Sequence, residues 1–186
     1  MTRCVVTLLA VCLAVSAAWG HTFPPQRTVV VQVERCEAAL LVGYRPGTGE
    51  PTEAILARAS TQPKSQMLQT LRAVMAAFAM APLAVTVDGR PLVPTSVRAK
   101  LGLEGGGARP IVVLLVTYAI PSAGRLEITS ADPRTTRISW QDRSGGRVAE
   151  AGAPAQGQWF DSVASFLLSL AGPPGDTACV TSSSSD

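Results

Sequence analysis

The sequence contains a single histidine in 186 residues. That excludes a protein-only His₂ or His₃ metal site and any multi-histidine proton relay. Charge is also scarce, at 16% of residues, and aromatics make up only 5%. Low charge beside 47% hydrophobic residues and a mean hydropathy of +0.26 excludes an intrinsically disordered chain. Only two of the sixteen basic residues are lysine, and the fourteen arginines are scattered singly. A nucleic-acid footprint needs clustered positive charge, so no nucleic-acid partner is expected. G-x-S-x-G is missing, and no second histidine offers a general base, which leaves a secreted hydrolase as a third-ranked reading. No acidic pair stands out for glycoside hydrolysis. Beyond the N-terminus no apolar run is long enough to cross a membrane. Ile111 to Ile120 spans ten residues, a length that fits a buried strand.

What is present begins with a leader pattern. Arg3 supplies one positive charge, Val5 to Val15 is almost continuously apolar, and Ala18 and Gly20 are small residues at the −3 and −1 positions. Residues 1–20 therefore read as a secretory signal peptide, placing the mature chain in the periplasm or outside the cell. Removing Arg3 lowers the formal charge from +3 by one, a weak balance. Residues 21–178 are expected to form one β-sandwich-like domain, and residues 179–186 a polar C-terminal tail.

Cys4 and Cys12 leave with the leader, so Cys36 and Cys179 remain. In an oxidising compartment an even, isolated pair reads as one disulfide. Free or intermolecular thiols are the alternative, and redox chemistry, which favours C-x-x-C spacing, is the least favoured. The closed loop would span 143 residues, worth on the order of 5 kcal/mol in the chain-entropy model.

Gly 16 and Pro 14 favour turns and short strands over a long bundle. Thr28 to Glu34 and Ala38 to Tyr44 read as an antiparallel hairpin. Glu53 to Ala59 begins a short helix. Ser65 to Met80 carries Leu68, Leu71, Met75 and Phe78 as an apolar stripe, flanked by Met67 and Val74, with Ser65 as N-cap. Leu83 to Val87 leads into Asp88-Gly89, a strong hairpin signal, with the return from Arg90 continuing through Ser96 to Leu103. Ile111 to Ile120 reads as the central strand. Gly124 to Thr129, Thr135 to Trp140 and an edge strand at Arg147 to Ala149 follow. Val163, Phe166, Leu167 and Leu170 recur at i, i+3, i+4 and i+7, which predicts a C-terminal helix over 160–170. The fold class expected is mainly β with two helices (α+β). It is a sandwich of seven or eight strands, with immunoglobulin-like topology as one option, one helix inserted and one C-terminal.

Candidate chemistry is sparse. His21 would stand first in the mature chain, where its α-amine and imidazole Nδ1 could chelate copper or nickel. No second histidine completes such a site, and an ordinary chain terminus is the plainer reading. Gly105-Gly106-Gly107 lacks the Gly-Lys-Ser/Thr that a phosphate loop needs, and reads as a hairpin connection. Trp140 is assigned to the core, and Trp159 to a seam between the last helix and the sheet. No catalytic or cofactor-binding residue is assigned.

The order of elements resembles the exported domain that precedes the membrane portion of bacterial HupE/UreJ-like proteins. The likeness rests on the leader followed by His21, VVVQVE and ALLVGY, the helix of Leu68 to Met80, PLAVTVDGRPLVP at 82–94, and VVLLVTYAIP at 112–121 with GRLEITS. That family is associated with nickel or cobalt handling, but its transmembrane helices are missing here, so transport does not carry over. The resemblance implies an exported, non-catalytic binding or interaction module of the bacterial envelope, whose partner is another envelope or membrane protein. A small periplasmic metal-binding protein using His21 is the alternative. The binding reading predicts an exposed sheet edge or helix surface with an apolar patch.

Overall fold

The computed structural model describes residues 24–104, 109–151, 155–172 and 179. The leader, His21, the glycine run at 105–107 and the polar tail from 182 onward lie outside the described residues. Two sheets and two helices account for most of the rest. The larger sheet has six strands in the order β10 (Phe160–Asp161), β8 (Thr136–Asp142), β1 (Gln26–Val33), β2 (Glu37–Arg45), β6 (Arg109–Ala119), β5 (Pro94–Glu104), and the smaller has five in the order β4 (Arg90–Pro91), β3 (Leu83–Val87), β7 (Gly124–Ser130), β11 (Ser165–Leu170), β9 (Val148–Ala151).

β1 (Gln26–Val33) and β2 (Glu37–Arg45) form the expected antiparallel hairpin. Their odd-numbered and even-numbered residues, respectively, face the core: Val29, Val31 and Val33 beside Ala38, Leu40 and Val42, each fully buried. β6 (Arg109–Ala119) pairs with β2, placing Val112, Leu114 and Val116 on the same side. It sits one place in from the edge, because β5 (Pro94–Glu104) flanks it. β1 also pairs in parallel with β8 (Thr136–Asp142), a long-range contact that brings Ile138 and Trp140 into the core.

In the smaller sheet, β3 (Leu83–Val87) turns at Asp88-Gly89 into β4 (Arg90–Pro91). Both turn residues have positive φ, 50° and 74°, as a two-residue hairpin of the twisted kind requires. The return strand is brief. The chain leaves the smaller sheet at Leu92-Val93 and joins the larger one as β5, so Ser96 to Leu103 does not continue the hairpin. β7 (Gly124–Ser130) lies beside β3, and its first residue is confined. A Cβ on Gly124, at φ 140°, would lie 2.7 Å from Asp88 Oδ2 and 2.9 Å from Val87 Cγ1. β9 (Val148–Ala151) is the far edge, as expected for Arg147 to Ala149.

The helix predicted at 160–170 is not there. That segment holds β10 (Phe160–Asp161) and β11 (Ser165–Leu170). Ser162 adopts φ 58°, which interrupts any helix. β11 then pairs with β7 on one side and β9 on the other. Phe166, Leu168 and Leu170 alternate into the core. Short apolar runs satisfy both periods, and here the two open strand edges decide between them.

Both helices fall between β2 and β3. α1 (Glu50–Ser60) buries Ile55 and Ala59. α2 (Lys64–Met80) packs on β2, β3, β5 and β6 through Leu71, Val74, Met75 and Ala79. Pro63, not Ser65, is its N-cap residue, with no side-chain cap. Its C-terminus is held by Arg27 from β1, 3% exposed. Nε donates to Ala79 O at 2.7 Å and Nη2 to Phe78 O at 3.1 Å, a cation at the negative end of the helix dipole. Nη1 donates to Thr136 Oγ1 at 3.1 Å, and the guanidinium lies 5.3 Å from the Tyr44 ring centre. Burial pushes the Arg27 pKa below its usual value, and Tyr44 and Asp132 act against that.

Residues of both sheets and both helices join one hydrophobic cluster, from Val29 and Leu114 through Ile55 and Met75 to Ile128 and Leu168. The Cys36–Cys179 disulfide forms, with the Cα atoms 5.3 Å apart. The Cys179 N–H donates to Ser122 Oγ at 2.9 Å, fastening the residue to the β6–β7 turn.

Candidate functional site

Side chains along β5 alternate between two faces. Val97, Ala99 and Leu101 stand opposite Val116, Leu114 and Val112 of β6, which are buried, so these face the core side. Arg98 and Lys100 stand opposite Leu115 and Val113 on the outer side. β5 ends the larger sheet and, among the described residues, has β6 as its one neighbour. Alternate residues therefore turn their backbone N–H and C=O groups toward a position that no described strand fills. The apolar residues also extend past the core. Val97 is 56% exposed and Leu103 64%.

α2 supplies the facing wall. Leu71 is buried, while Leu68, three residues earlier, is 64% exposed. Leu68 and Leu71 face Ala99, Leu101 and Leu103 across a groove of about 670 Å³. Arg72 borders it from α2, and Lys100 borders it from β5 with its side chain on the outer face; no acidic residue lines it among the described residues. Neither cation belongs to an ion pair among the described residues. The groove thus combines an open hydrogen-bonding edge, an apolar wall and a positive rim. Ser65 also lies on it, with no carboxylate or imidazole among the described lining residues to activate its hydroxyl.

The cysteines and tryptophans singled out from the sequence do not line the groove. Cys36 and Cys179 are joined to each other. His21, with the copper or nickel chelate it would form, lies outside the described residues, and among the described residues no three His, Cys, Asp or Glu side chains converge on a metal position. Trp140 is in the core, 8% exposed. Trp159 covers no helix–sheet seam, because the last helix is a strand. It stands 42% exposed over Arg137, whose guanidinium carbon is 4.4 Å from the ring centre.

Sequence periodicity assigned Leu68 and Phe78 to the buried stripe of α2, yet both are exposed. The apolar stripe begins at Leu68, three residues before the first buried position, Leu71, and that overhang was the available signal for the groove. No helix among the described residues is long and apolar enough to cross a membrane. Comparison with family models, curated proteins and solved structures finds no match, and so none that ties the chain to HupE/UreJ-like proteins.

Proposed function

We propose that this chain is an exported, non-catalytic binding module of the bacterial envelope, and that it takes an extended segment of a partner protein along β5. The observation that carries this reading is the eleven-residue end strand β5, with Val97 and Leu103 more than half exposed beside the α2 groove. An added strand would gain main-chain hydrogen bonds along the edge and place alternate side chains in the groove. The pleat sets its chemistry. Residues on the groove side would be apolar, facing Leu68 and Leu103, and those on the other side acidic, facing Arg98 and Lys100. Pairing of β5 with a second copy of itself would bring like charges together across the strands, which is disfavoured. The two sheets are the layers of a sandwich in this reading. The leader pattern of residues 1–20 and the Cys36–Cys179 disulfide support an oxidising, extracytoplasmic compartment.

A fluorescent peptide of about nine residues, a length matched to the strand, tests this. Alternating valine and glutamate should bind, as read by anisotropy. The valine–lysine counterpart should bind at least tenfold more weakly, and Leu103→Asp should abolish binding of the first. Equal binding of the two peptides, or binding unchanged in Leu103→Asp, would overturn the proposal.

A further inference from the structure

A second cleft, independent of the groove, lies where β1 begins and β2 ends. It measures about 270 Å³ and is lined by Arg27, Arg45, Arg134 and Arg137, with Asp161 the one carboxylate among its described residues. Strand register gathers these charges. Arg27 stands between Tyr44, next to Arg45, and Thr136, next to Arg137. Arg134 lies in the 3₁₀ turn Pro133–Thr135 that leads into β8. Four arginines in one cleft is a concentrated positive field for a chain of formal charge +3.

Arg27 forms the floor. Its hydrogen bonds run to neutral acceptors, two backbone carbonyls and threonine hydroxyls. Asp132 is near enough to favour its charge but makes no ion pair with it. A buried cation without a directly bonded anion is costly, and a bound anion would offset that cost. Arg137 lies over the Trp159 ring, with Nε 3.3 Å from Asp161 Oδ1 in an ion pair that lacks hydrogen-bond geometry. The Nη groups of Arg137 and the guanidinium of Arg134 have no hydrogen-bond partner among the described residues. Planar guanidinium forks match the oxygens of a phosphate.

We propose that this cleft binds a phosphate or a small phosphate monoester, gripped by Arg134 and Arg137 above the buried charge of Arg27. The phosphate could be that of a free metabolite or of a lipid headgroup. Trp159, stacked on Arg137, supplies the readout. Inorganic phosphate, titrated into the whole protein at constant ionic strength, should change tryptophan fluorescence saturably. Glycerol phosphate should compete with it. Arg134→Gln and Arg137→Gln should each weaken binding at least tenfold, measured by calorimetry, while Arg72→Gln in the groove should leave it unchanged. Co-sedimentation with phosphatidylcholine vesicles containing phosphatidate, reversed by free phosphate, assigns the lipid source. Phosphate binding without sedimentation assigns the free one. A response matched by chloride at equal ionic strength, no saturable response, or full affinity in both arginine variants would overturn the proposal.

Discussion

At the scale of single residues, Asp142 shows how one carboxylate shapes a turn. Oδ1 accepts from the Ser144 N–H at 2.8 Å and from its hydroxyl at 2.5 Å, and Oδ2 accepts from Gly146 N at 3.1 Å and Val148 N at 3.0 Å. The turn so fixed carries Arg147, fully buried, whose Nη1 and Nη2 donate to Ser122 O and Pro121 O. Burial alone would raise the Asp142 pKa, but the hydrogen bonds from Ser144, Val148 and Gly146 outweigh it and leave the group below the ordinary 3.8. A depressed folded-state pKa stabilises the fold above the unfolded value and ceases to do so as pH falls through the folded one. Asn in this place would point an NH₂ at backbone donors whichever way it turned. Asp142→Asn should therefore lose about 1–3 kcal/mol at pH 7 in urea denaturation. The gap from the parent should shrink as pH drops below 3.8. A gap constant down to pH about 2 would show that Asp142 does not carry this acid dependence.

At the scale of elements, α2 separates what packs from what is left open. Met75 is fully buried, whereas Leu68 is largely exposed on the groove. Met75→Ala should cost about 2–5 kcal/mol in thermal or chemical denaturation. Leu68→Gln should stay within about 0.5 kcal/mol, because it removes no core contact. A large loss in Leu68→Gln would place that side chain in the core and close the groove. The same helix marks how far the sequence is legible. Its position was readable to within one residue, since alanine-rich periodicity over seventeen residues has few competing solutions. Which of its apolar residues are buried was not, because the exposed Leu68 and Phe78 fit the same period as the buried Leu71 and Met75. The β1–β2 hairpin and the Asp88-Gly89 turn were readable from local alternation and turn chemistry. β11 was misread because Phe166, Leu167 and Leu170 fit a helix, while the partners that make them a strand, β7 and β9, lie far away in the chain. The parallel β1–β8 pair and the crossing from β4 to β5 are likewise long-range choices. The arginine cleft depends on the first and the groove on the second, so neither site had a local signature.

At the scale of the whole molecule, the disulfide joins what the sheets leave separate. β1 and β2 belong to the larger sheet, and Cys36 lies in the turn between them, where its carbonyl accepts the Ile120 N–H at 3.0 Å. β11 belongs to the smaller sheet and leads toward Cys179. The crosslink therefore connects the end of the chain to the opening hairpin over 143 residues. So long a loop removes much of the freedom of the unfolded chain, while the folded core is already complete without it: Val31, Leu40, Ile128 and Leu168 are buried by packing alone. The effect of the bond should thus fall mainly on the unfolded state. The double variant Cys36→Ser/Cys179→Ser should keep the far-ultraviolet circular dichroism of the parent and lose about 2–5 kcal/mol of stability in guanidinium denaturation. Its m-value should rise, because an uncrosslinked chain exposes more surface on unfolding. Loss of the folded spectrum at neutral pH would instead show that the crosslink holds the two sheets together, and an unchanged midpoint would show that the crosslink adds nothing to the stability of the fold.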